Sequence, residues 1–160
     1  MKSEIGADWA AHSHALVPAL LANLVWINAS EVFRYFACVM PMLRQALPQV
    51  PDVAPMSLPV FLIWGVWDTV LLLAVSSFTW LFLIRYGATV RNALIIGTML
   101  WGTIFVIFWL ASFNMNLATG SILAVALPLA WIEMAVAALI VRWGMQRCGV
   151  NAARPAAGAW

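Results

Sequence analysis

The chain predicts an all-α fold, an antiparallel four-helix transmembrane bundle of a polytopic integral membrane protein, and three observations carry this expectation. Of its 160 residues 65% are hydrophobic. Only 9% are charged, where soluble domains carry about a quarter. The apolar runs are also too many and too long to be hidden in a soluble core of this size, and each exceeds the ~20 residues that cross a hydrocarbon layer.

The elements follow in order. Residues 15–44 form the first span, whose middle reads WINASEVFRYF. The loop QALPQVPDVAP ends it, because three prolines remove backbone donors and break the helix. The second span is 57–86, closed by the short turn YGATVR, and the third is 92–114, closed by NMNLATG. The fourth is 121–143, with Pro128 inside it. This leaves 15–144 as the transmembrane domain between an N-terminal tail, 1–14, and a C-terminal tail, 145–160, whose NAARPAAGAW has a flexible composition. Lys2 followed by ALVPALLANLVWI loosely imitates a signal peptide. Glu4 and Asp8 in the leader, and the apolar pattern that resumes at EVFRYFACVM, argue that the first helix is retained.

Charge sets the expected orientation. Lys2, Arg85, Arg91, Arg142, Arg147 and Arg154 fall on the side shared by the two tails and the middle loop, whereas the other side has only Arg44. Basic loops are held in the cytoplasm, so both termini are placed there, in a plasma (inner) membrane. Trp80 and Trp143 fit an interfacial belt near that side, with Trp64, Trp67, Trp101 and Trp131 deeper.

Three of the six acidic residues lie inside the spans: Glu31, Asp68 and Glu133. A charge at the bilayer centre costs about 2.5–3.5 kcal/mol on insertion scales, so these groups must face the bundle interior. On a helical wheel Asn28, Glu31, Arg34 and Tyr35 form one stripe, and Glu31 and Arg34 are separated by roughly 4.5 Å of rise, close enough to pair. In the second span Trp64, Asp68, Leu72 and Ser76 share a face. In the third the stripe is Thr98, Trp101, Phe105, Trp109, Ser112 and Asn116, with Gly97 and Gly102 permitting close approach of a neighbour. Three carboxylates against one guanidinium leave minus two if all ionise, which a low-dielectric interior does not tolerate. At least one acid therefore holds a proton, or a cationic group is bound. The candidate proton- and ligand-binding residues are Glu31, Arg34, Asp68, Glu133, Asn28, Trp64 and Trp101, with the tryptophans as walls for a flat or cationic ligand. A structural salt bridge that fixes helix register is the alternative reading of Glu31 with Arg34.

Other chemistries find little support. His12 and His14 share the N-terminal tail and cannot be paired haem ligands across helices. Cys38 and Cys148 fall near opposite membrane faces, so no disulfide is expected between them. No phosphate loop, metal motif or Ser-His-Asp set is present, and no cofactor or metal is expected. The net charge of +2 is too dispersed for nucleic acid.

The expected function is a small transporter or ligand-binding protein that uses buried carboxylates for proton or cation coupling, with the lipid bilayer and a hydrophobic or cationic small molecule as partners. Four helices are few for a complete pathway, which argues for a homodimer or a larger membrane complex. A glutamate in the first of four helices resembles the arrangement of small multidrug-type transporters, although this chain is longer and matches no motif of theirs residue by residue. Two alternatives share the same residues. One is a membrane-embedded isomerase or cyclase working on a lipid or isoprenoid by carboxyl acid/base chemistry. The other is an accessory subunit whose charges pair with another protein's helices.

Overall fold

The computed structural model describes the backbone of residues 2–53 and 55–147, with side chains from Leu16 onward. His12, His14, Cys148 and the basic residues Lys2 and Arg154 therefore lie outside the described side chains, as does the C-terminal tail from 148.

Among the described residues the fold is helical without strands. Four helices are long and apolar enough to cross a membrane: Leu16–Ala46, Leu58–Tyr86, Val90–Asn114 and Gly120–Arg147. Each lies within a few residues of the expected span. The helical backbone of the first continues back to Lys2, through the segment expected to be a tail.

Local sequence explains the breaks. Gly87 adopts φ 99° at the end of the second helix, a conformation that L side chains rarely adopt. Two residues on, Thr89 caps the third helix by accepting from the Asn92 backbone at 3.1 Å. The Asn92 side chain reaches back to donate to Tyr86 O at 2.7 Å and Gly87 O at 2.9 Å. One three-residue link thus satisfies donors and acceptors of both helix ends. Asn116, at φ 56°, turns the chain between the third and fourth helices.

The outer surface of the bundle is apolar. Val25, Leu62, Ile63, Val66, Val70 and Ile107 are largely exposed, whereas Asn23, Glu31, Arg34, Asp68, Ser76, Thr79, Ser112 and Glu133 are buried. This inversion of the soluble pattern, together with the four apolar helices, points to an integral membrane protein.

The fourth helix is central: the first, second and third all pack on it. Its alanines 126, 130, 137 and 138 are buried and let neighbours approach. Gly97 lies so close that a Cβ there would sit 2.9 Å from Met134 O. Gly102, expected to serve likewise, would meet nothing within 4 Å. Trp80 does not join an interfacial belt but is buried in the core, whereas Trp143 is exposed beneath the Arg147 guanidinium at 4.4 Å.

Candidate functional site

Two helices change pitch where the charges lie. The first helix runs as α-helix to Phe33, becomes π-helical over Arg34–Val39, then resumes as α-helix over Met40–Ala46. The third does the same over Gly102–Val106. Such insertions cluster at functional sites because the extra residue re-aims side chains that a regular helix would turn away. The first presents Arg34, Tyr35 and Val39 inward, and the second Phe105.

Arg34 is the hub. It pairs with Glu31 on its own helix and donates through Nη1 to Glu133 Oε2 on the fourth helix at 2.7 Å. Its guanidinium also lies over the Phe105 ring of the third helix, 4.7 Å from the centroid. Asp68, on the second helix, is close enough to Glu31, Arg34 and Glu133 to feel their charges. All four are 6% exposed or less. Three helices thus bring one cation and three acids into a single dry cluster.

The cluster has more acceptors than donors. Among the described residues Asp68 Oδ1 and Glu133 Oε1, both buried, have no hydrogen-bond partner. An ionised carboxylate can only accept, and an orphaned acceptor in a dry site costs about 1–3 kcal/mol, more when charged. A proton on a carboxyl turns an acceptor into a donor and relieves both the charge and the count. Among the described residues no set of His, Cys, Asp and Glu is grouped to hold a metal ion. The acids are organised around a guanidinium.

A cleft of about 370 Å³ borders this cluster. Glu31, Arg34 and Tyr35 of the first helix form its polar wall, and Trp64, Phe105 and Trp109 its aromatic ones. It lies where, among the described residues, no extensive packing joins the first and third helices. Tyr35 and Trp64, with ring centroids 4.5 Å apart, close it between the first and second helices. Ile63, Trp67 and Phe108 also line it and are more than half exposed, so it opens sideways through the apolar wall of the bundle.

Of the residues singled out in the sequence, Glu31, Arg34, Asp68 and Glu133 come together, and Trp64 joins Glu31 and Arg34 in lining the cleft. Two are placed elsewhere. Asn28 folds back to donate to Leu24 O of its own helix at 2.7 Å. Trp101 donates to Leu127 O at 2.8 Å, tying the third helix to the fourth beside Pro128 rather than lining the cleft. The carbonyl engaged at that proline belongs to the residue before it, not to the one a turn earlier whose partner the ring removes.

Two buried polar residues, Asn23 and Thr79, escaped the sequence reading. Asn23, fully buried, donates through Nδ2 to Ser76 Oγ at 3.1 Å and to Ala137 O at 3.2 Å, joining three helices. The spacing of Asn23 two turns from Glu31 was the available signal. Comparison with protein-family models, with curated proteins and with solved structures yields no match.

Proposed function

We infer that this protein is a small transporter or binding protein of the plasma (inner) membrane, in which an antiparallel four-helix bundle takes a hydrophobic cation from the bilayer and couples it to a proton held by the buried acids. The observation that carries the reading is the join between the two halves of the site. Glu31 and Arg34 are at once members of the charge cluster and the polar wall of the cleft. A cation entering that cleft meets a guanidinium already offset by two carboxylates, with Asp68 behind it. Its positive charge makes the proton redundant, and release of that proton restores the balance. Aromatic faces add attraction worth about 0.5–2 kcal/mol each.

The up-and-down arrangement is supported by contacts whose numbering descends on one helix as it rises on the other: Asn23 with Ala137 and Arg34 with Glu133, then Thr98 with Trp131 and Trp101 with Leu127. Arg85, Arg91, Arg142 and Arg147 lie at one end of the helices and Arg44 at the other, which favours cytoplasmic termini.

Reconstituted protein tests the reading. With tetraphenylphosphonium as probe, binding and pH-gradient-driven uptake are expected, both weakened in Glu31→Gln, and uptake lost in Asp68→Asn and Glu133→Gln. Absence of both binding and uptake in the unaltered protein overturns it.

A further inference from the structure

Two turns along the bundle from the acids lies a second polar layer that the cleft does not reach. Asn23, Ser76 and Thr79 are all fully enclosed, and among the described residues Asn23 Oδ1 and Thr79 Oγ1 have no hydrogen-bond partner. Asn23 and Ser76 are already bonded, and Thr79 is one turn from Ser76 on the same face.

The two layers share a register on the first and second helices. Asn23, Ile27 and Glu31 follow at single-turn spacing on the first, and Ser76, Leu72 and Asp68 do so in reverse order on the second. On the fourth, Ala137 stands one turn from Glu133. Eight residues of helix separate the layers by about 12 Å. Ile27 and Leu72, both buried, fill the interval. Beyond the second layer come the helix ends with Arg85 and Arg142.

Orphaned polar atoms in a sealed interior mark a place for a small polar guest. The available ligands, an amide oxygen and two hydroxyls, are all neutral, so a desolvated cation would find no compensating charge. A water molecule needs only two to four such partners.

We propose that this layer is a proton-exit site: a water held by Asn23 Oδ1, Thr79 Oγ1 and Ser76 Oγ receives the proton released by the carboxylate cluster, and the Ile27–Leu72 layer is the gate between them. This rests on the reading that the cluster exchanges a proton. In the step, which requires water to bridge the opened Ile27–Leu72 layer, the O–H bond of a protonated carboxyl breaks and a carboxylate remains; the held water accepts a proton on one side as it gives one of its own toward the arginine-bearing end, so no cation rests among the neutral ligands. The charged groups that face Asp68 and govern this release are Glu31 and Arg34 from the first helix and Glu133 from the fourth, while the third helix contributes the uncharged Phe105 against Arg34. With Ile27 and Leu72 in contact with the core, the gate is closed in this structure.

Passive proton flux into liposomes tests the proposal without any solute. The full-length protein is reconstituted with a pH-sensitive dye inside and a potassium diffusion potential across the membrane. The unaltered protein should conduct little more than empty liposomes, and Leu72→Ala should raise the flux several-fold. Adding Thr79→Val or Asp68→Asn to Leu72→Ala should return it to baseline. Should Leu72→Ala not fold, Ile27→Thr, similar in shape but wettable, must leak in the same Thr79-dependent way. A folded gate variant that leaks no more than the unaltered protein overturns the proposal, as does a leak that survives both second substitutions. Because tetraphenylphosphonium is absent, failure of cation binding counts against the transport reading alone.

Discussion

Arg34 donates to Glu133 across the first and fourth helices at 2.7 Å, and neither side chain is more than 7% exposed. Removing one member of such a pair leaves the other charged, dry and alone, at about 3–5 kcal/mol. Arg34→Gln, which strips Glu31 and Glu133 of the guanidinium they share, should cost stability in that range in detergent. Glu133→Gln should cost less, because its amide oxygen still accepts from Arg34. Denaturant unfolding of the purified variants reads the difference.

The two glycines of the third helix should respond in opposite ways. Gly97→Ala forces a methyl against Met134 O at 2.9 Å and Ala135 Cα at 3.2 Å, both backbone atoms that cannot swing aside. Overpacking of this kind costs about 1–3 kcal/mol, read as a lower Tm. Gly102→Ala meets open space and should leave Tm unchanged or raise it, by up to about 1 kcal/mol of helix propensity.

Two tryptophans of similar sequence appeal should separate by assay. Trp64→Leu removes a cleft wall, so tetraphenylphosphonium affinity should fall by about 0.5–2 kcal/mol with little change in stability. Trp101→Leu removes the indole bond to Leu127 O, so stability should fall by about 1 kcal/mol with affinity unchanged. Calorimetric titration beside thermal melts distinguishes them.

The helices were legible because hydrophobic length alone defines a span, and the turn chemistry of YGATVR and the prolines of QALPQVPDVAP mark the breaks. The inward charges were legible too, since lipid excludes them. What the sequence concealed is which polar residues find partners on other helices. Asn23 and Asn28 lie at comparable angles from Glu31 on a helical wheel, yet only Asn23 meets Ser76 and Ala137. The π-helical segments, which set the aim of Arg34 and Phe105, carry no periodicity signal because they arise from packing. Asn23→Leu should accordingly cost about 1–3 kcal/mol of stability by removing the bonds to Ser76 and to the Ala137 carbonyl and leaving the enclosed Ser76 hydroxyl without that partner, and Asn28→Leu almost nothing, in the same unfolding assay.

The central claim is that Glu31, Arg34, Asp68 and Glu133 act as one unit whose acids are never all ionised together in the empty protein. Infrared spectroscopy of the purified protein at neutral pH reads a protonated carboxyl directly through its C=O stretch. The band should be present, should shift in heavy water, and should be lost in Asp68→Asn or Glu133→Gln. A spectrum in which every buried acid is a carboxylate, with no cation bound, would contradict the account.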